Sequence, residues 1–162
     1  MPHELHLPPR DPASSAWTVR SARPEDAGVV ARHRYPDPGE LPDVLEAYAL
    51  WVAGAMQRGT YAGWLAEQDG RVIGGTGLTF LEWGPTRRDS GGVHARVVNV
   101  FTEDPHRRQG VAADLTRHAL RHAANRGVRS FHLSSTPAAR ALYERLGFRT
   151  HASEMTLVLP SA

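Results

Sequence analysis

Residues 97–126 read VVNVFTEDPHRRQGVAADLTRHALRHAANR. Val97 to Phe101 is apolar and largely β-branched apart from Asn99, which is the pattern of a strand. From Val111 to Arg126 the pattern is helical, and Val111, Leu115, Ala119, Leu120 and Ala123 form its predicted buried face. The link between them, Thr102 to Gly110, carries Arg107 and Arg108 and ends on glycine. A strand that runs straight into a helix has a physical use. The first N–H groups of a helix lack internal partners, and the helix dipole adds partial positive charge there. A phosphate fits that end. Gly110 and Ala112 carry little side chain, so a diphosphate would reach the amides, with Arg107 and Arg108 adding charge beside it.

A second block, residues 136–148, reads TPAARALYERLGF. The two blocks, in this order and with a strand between them, resemble the GCN5-related N-acetyltransferase (GNAT) family. Arg107, Gly110 and Ala112 fill the three defined positions of that family's acyl-CoA motif, Gln/Arg-x-x-Gly-x-Gly/Ala. Leu142 to Phe148 resembles its closing motif, Leu-Tyr-x-x-Leu-Gly-Phe. The resemblance covers about Trp17 to Leu159; it is strong from Val97 onward and loose before it.

The resemblance implies an α/β fold, GNAT-like, with a central mixed sheet of six or seven strands and about four helices. It implies an acetyltransferase that moves an acetyl group from acetyl-CoA to a primary amine of a small molecule or peptide by direct attack. The end of the Val97-containing strand would part from its neighbour at a bulge, and the backbone of Val100, Phe101 and Thr102 would hydrogen-bond the pantetheine arm. Amides of Arg108, Gln109, Gly110, Val111, Ala112 and Ala113 would hold the diphosphate. Tyr143 would face the thioester sulfur, with the alternative that it packs on Leu146 and Phe148. Many members place an Asn before the last helix; Ser134, Ser135 and Thr136 stand there instead. Thr136 either binds the pantetheine or caps the helix. Arg140 and Arg145 reach the 3′-phosphate of CoA or lie on the surface. Some histone-directed members carry a glutamate where Arg96 stands, so that base does not transfer.

Composition bounds the other classes. A chain of 162 residues with 41% hydrophobic and 22% charged residues suits one globular domain. The expected division is a loose Pro-rich arm over residues 1–15 and a single domain over 16–160. No run is long and apolar enough for a transmembrane helix, and the N-terminal residues do not have the form of a signal peptide; a cytoplasmic protein is expected. With no cysteine, thiolate metal sites and a Cys nucleophile are excluded. All 19 basic residues are arginine, yet the net charge is only +2. They are spread along the chain, without the basic stripe of a nucleic-acid binder. His118 and His122 are i,i+4 on the long helix, but the residues between them lack the glutamate of a metalloprotease motif; no metal is expected. Neither a nucleic-acid nor a membrane partner is expected, and a homodimer is compatible with the family.

Along the chain, Trp17 to Arg20 predicts a strand, and Pro24-Glu25-Asp26 starts a helix that ends before Pro36. Pro42 to Gln57 predicts a second helix with Val44, Leu45, Tyr48, Trp51, Val52 and Ala55 on one face. Trp51 there is either core or a pocket wall. Tyr61 to Glu67 and Arg71 to Leu81 predict a hairpin about Asp69-Gly70. Gly74, Gly75 and Gly77 predict bulges or close backbone approach. After the long helix, ended by Gly127, strands are predicted at Ser130 to Leu133, Phe148 to His151 and Met155 to Leu159. The predicted order is β-α-α-β-β-β-α-β-α-β-β.

Acetyl transfer needs a held thioester, a donor for the oxyanion and a proton for the leaving thiolate. The oxyanion donor would be the amide of Thr102 or Phe101. A phenol such as Tyr143 suits protonation of a thiolate. For the base, Glu103, Glu82, His106 and a water chain are all open. Asn99, a polar amide in an apolar run, must find hydrogen bonds or cost about 1–3 kcal/mol; it meets them in the core or lines the acceptor site. Trp51, Trp83 and Tyr35 propose an aromatic wall. A non-catalytic acyl-CoA sensor is the alternative, and Tyr143 is the residue it would not need.

Overall fold

Asp69 and Gly70 both have positive φ, 50° and 75°, as a type I′ hairpin turn requires. They join β2 (Tyr61–Gln68) to β3 (Arg71–Glu82). The computed structural model describes Leu7, Pro9 and residues 16–159. With β1 (Thr18–Ser21), β4 (Val93–Thr102) and β5 (Ser130–His132) the hairpin forms one sheet in the order β1-β2-β3-β4-β5. All neighbours are antiparallel except β4 and β5, which run parallel.

Helices cover both faces. α3 (Val111–Asn125) buries Val111, Leu115, Ala119, Leu120 and Ala123, the five residues its periodicity singles out. They pack with Trp17, Trp64, Ile73, Leu78, Ala95 and Val97 into the larger core. On the opposite face lie α1 (Ala27–Arg34) and α2 (Pro42–Gln57). Their Ala27, Val30, Val52 and Ala55 surround Tyr61 in a second core. Pro42 opens α2, where its missing N–H costs nothing. Arg20 of β1 ties this layer to the sheet: its guanidinium meets Asp26, just before α1, at 2.7 Å and Glu67 of β2 at 2.7 Å. Gly127, at φ 92°, ends α3. α4 (Arg140–Arg145) follows a short turn, Pro137–Ala139, capped by Thr136.

Among the described residues the sheet has five strands, not the six or seven expected. Residues 148–159 contain no strand, so those expected at Phe148 to His151 and Met155 to Leu159 are absent. Met155, Leu157, Val158 and Leu159 are 76–94% exposed. β propensity produces a strand only where a ladder partner exists, and β5, the neighbouring edge, is three residues long. Of the expected N-terminal arm, Leu7 is half-buried against the larger core; apart from Pro9, the rest lies outside the described residues. Among the described residues no helix is long and apolar enough to cross a membrane.

Candidate active site

β4 carries one residue too many for its partner. Gly77 pairs with Val98 and Gly75 with Phe101, so Thr76 alone faces Asn99 and Val100. This is a β-bulge, and Asn99 accommodates it at φ 56°, a region that Asn tolerates better than most residues. Its side chain is satisfied as it turns. The Tyr48 hydroxyl donates to Asn99 Oδ1 at 3.1 Å, and Asn99 Nδ2 donates to the Tyr61 hydroxyl at 3.1 Å. Burial pushes the Tyr61 phenol well above its usual pKa. The two glycines beside the bulge are required by close approach. A methyl group on Gly75 would meet the His33 ring at 2.5 Å, and one on Gly77 would collide with the Tyr61 hydroxyl.

β4 and β5 pair only from His94↔Ser130 to Arg96↔His132. Beyond them the strands part and leave a cleft of about 520 Å³. Val98, Asn99 and Val100 line one side, Ser134, Ser135 and Thr136 the other. Tyr48, Trp51, His33 and Arg34 of the helical layer close one end, and Tyr143 of α4 also faces in. The backbone beyond the bulge has a fixed orientation. Glu103 N–H donates to Ile73 O on β3 at 2.9 Å. The period of two along a strand then turns the Thr102 N–H to the opposite edge, the one that β5 leaves open. Of the two amides considered for the oxyanion, Thr102 has the outward position.

The link to α3 is wound tightly. Arg107 Nε donates to Thr102 O at 3.2 Å, and Gln109 Nε2 to Pro105 O at 2.9 Å. Arg107 also pairs with Asp104 at 2.9 Å, so its charge is partly engaged by the link itself. Arg108 and Gly110 both have positive φ, 62° and 93°, a backbone form that gathers N–H groups into an anion-binding hollow. Asp114 N–H is the amide that reaches back to Gly110 O, at 2.9 Å. Those of Val111, Ala112 and Ala113 come before any carbonyl in the helix that they could use.

Tyr143 is 8% exposed and meets Phe148 edge-on at 6.0 Å. Burial raises its phenol pKa. The Thr136 hydroxyl accepts from Ala139 N–H at 3.3 Å, so it caps the turn, while the residue still borders the cleft. Arg140 lies outside this cleft, on a neighbouring hollow of about 210 Å³ shared with His132 and Tyr143. Arg145 is exposed. Glu103, Glu82 and His106 are not among the residues lining the cleft. Of the proposed aromatic wall, Trp51 lines it and Tyr35 stands behind it, edge-on to Tyr48 at 5.6 Å. Trp83 is elsewhere, stacked on His94 at 5.1 Å. His118 and His122 both turn to the Trp64 ring, at 6.1 and 5.1 Å. Among the described residues no group of three or more His, Cys, Asp or Glu is placed to hold a metal.

Sequence reasoning missed His33, Arg34, Tyr48, Tyr61 and Arg96 as cleft or bulge-supporting residues. His33 stacks on Phe101 at 4.7 Å, and burial pushes its imidazole down to about 4. One signal was available: an Asn inside an apolar strand demands polar partners, and Tyr48, assigned to an apolar helix face, carries a hydroxyl that can supply one.

Comparison with known proteins agrees with this fold. The model of the Acetyltransferase (GNAT) family matches residues 25–148. Human N-acetyltransferase 8 is 32% identical over 89 residues, which is 53% of this chain and 37% of that protein; the chain thus spans well under half of that relative. A predicted acetyltransferase from Clostridium acetobutylicum, solved with acetyl-CoA, superposes with a TM-score of 0.79 at 19% identity, over 88% of this chain and 96% of that one. A GCN5-related N-acetyltransferase from Ralstonia eutropha gives 0.75 at 25% identity, over 88% and 98%.

Proposed function

Because the chain belongs to the GNAT family of acetyltransferases, we propose that residues 16–160 form one domain that transfers acetyl from acetyl-CoA directly to a primary amine of a small molecule or peptide. The observation that carries this reading is the cleft where β4 and β5 part, with the bulge at Asn99 on one side and Tyr143 facing in. The Clostridium neighbour was solved with acetyl-CoA, which supports the choice of cosubstrate.

In this reading Arg107, Arg108 and Gln109 and the amides of Gly110, Val111, Ala112 and Ala113 take the diphosphate. Val100, Phe101 and Thr102 run beside the pantetheine, with Thr136 at its other edge and Arg140 near the 3′-phosphate. The acceptor amine gives one proton to solvent, and its lone pair attacks the thioester carbon. The Thr102 N–H receives the oxyanion that forms. As the C–S bond breaks, Tyr143 gives its phenolic proton to the thiolate, and the attached nitrogen gives its second proton to solvent. The products are the amide and free CoA thiol, and Tyr143 is reprotonated from water. Asn99 holds the bulge and borders the acceptor. Glu103 lies past the end of β4 and outside the cleft lining, so as a base it would act only through water. A half-buried His33, its pKa lowered to about 4 by desolvation, is too weakly basic for that task.

The test is a thiol-release assay with acetyl-CoA and a panel of amines and N-terminal peptides, beside thermal melting with acetyl-CoA and desulfo-CoA. Both ligands should raise the melting temperature. Unchanged melting at millimolar ligand sinks the reading.

A further inference from the structure

The acceptor end of the cleft carries charge that acetyl transfer itself does not use. Alternation along β4 puts Arg96 on the same face as Val98, toward the α1–α2 layer. There its Nη2 donates to Ser134 Oγ at 2.6 Å across the β4–β5 gap, which fixes the guanidinium against the cleft. Arg34, the last residue of α1, enters the same cleft with its guanidinium 5.7 Å from the Tyr35 ring. Among the described residues lining the cleft there is no Asp or Glu. Among the described residues the acid beside Arg96 is Glu154, at 3.9 Å, with 75% of its side chain exposed. That contact is too long for a hydrogen bond and is made by a segment without regular structure, so a ligand displaces it at little cost.

We infer that the acceptor amine also bears an anionic group, a carboxylate or a phosphate, which docks on Arg96 with Arg34 beside it. The inference rests on the cleft being the site of transfer. These arginines are not needed by the cosubstrate's diphosphate, because no residue from 101 to 113 lines this cleft. The positive start of α3 serves that group instead. Arg forks suit planar carboxylates and phosphates, and an acceptor carrying only ammonium groups would meet two like charges and no counter-ion. Tyr48 and Trp51, 5.4 Å apart, offer apolar faces between the arginines and the bulge, where the body of the acceptor lies.

The experiment measures thiol release from acetyl-CoA with matched acceptors. The carboxylate arm is para-aminomethylbenzoate against para-aminomethylbenzamide; the phosphate arm is phosphoethanolamine against ethanolamine. An anionic member should exceed its neutral twin by about tenfold or more in kcat/KM. In Arg96→Gln that ratio should collapse toward one through a higher acceptor KM, and in Arg34→Gln it should fall part of the way. Equal use of both twins, preference for the neutral ones, or a ratio that survives both substitutions overturns the inference. So does the absence of turnover on all four by protein whose melting temperature acetyl-CoA raises. If acetyl-CoA does not raise it, the acetyl-transfer reading fails first.

Discussion

Asn99 Nδ2 donates to the Tyr61 hydroxyl at 3.1 Å while its own backbone sits at φ 56°. The amide therefore does two jobs: it permits the extra residue of β4 and ties that residue to β2. Replacing it separates them. Asn99→Gly keeps the backbone and loses the bonds, and should cost about 1–3 kcal/mol. Asn99→Val loses both and should cost at least about 1 kcal/mol more, because a branched side chain is strained at that φ. Urea denaturation of both variants reads the difference. A valine variant as stable as the glycine one would contradict the strain argument.

Tyr143→Phe should lower kcat tenfold or more while the acetyl-CoA dissociation constant moves less than about threefold. The ring and its contact with Phe148 survive the substitution, so folding is not the variable. Since burial raises the phenol pKa, wild-type kcat should show no loss from Tyr143 ionisation below about pH 10. A fall centred near neutrality would belong to another group.

Ala112→Glu separates helix stability from ligand affinity. A carboxylate in the first turn of α3 favours the helix dipole, so the unliganded melting temperature should hold or rise slightly. In the proposed reading the same charge faces the diphosphate, and acetyl-CoA affinity, by calorimetry, should fall at least about thirtyfold. Unaltered affinity would displace the phosphates from this helix start. Gly110 is the poorer test position because its φ of 93° would strain any replacement.

His33 gives a pH dependence whose sign is set by burial. Its folded-state pKa lies near 4, below the ordinary 6.5. The unfolded chain therefore binds the proton first. Stability from this group is complete above about pH 6.5, falls as the pH drops toward 4, and changes no further below that, by up to about 3 kcal/mol in all. In His33→Phe, which keeps a ring against Phe101, unfolding free energies at pH 7 and pH 4.5 should lie closer together than in the wild type. An equal gap in both proteins would assign the effect elsewhere.

The helices and the first four strands were legible because each carried its own periodicity and punctuation. Pro42 opens α2, Asp69-Gly70 turns the hairpin, and the apolar face of α3 is the one its spacing shows. The glycines at 74, 75 and 77 also announced a close approach. What they approach was not legible, because the His33 ring and the Tyr61 hydroxyl come from distant segments. For the same reason Arg96 read as a departure from a motif rather than as part of a cleft wall. Met155 to Leu159 failed for the opposite cause: its composition favours a strand, but composition cannot supply a neighbouring edge. At Thr102, hydrogen-bond parity shows which way the amide points, which residue identity alone does not.

The bulge sets a phase for everything downstream of it. Before the extra residue, Arg96 and Val98 look toward α1 and α2; after it, Asn99 and Phe101 do. Straightening the bulge with every residue kept would invert that parity. Phe101 would swing away from His33 into the space beneath α3, and the outward Thr102 amide would turn toward β3. The strand can therefore absorb substitutions along its length, while the extra residue and the kink that houses it must be kept or lost together, as insertions are in a reading frame.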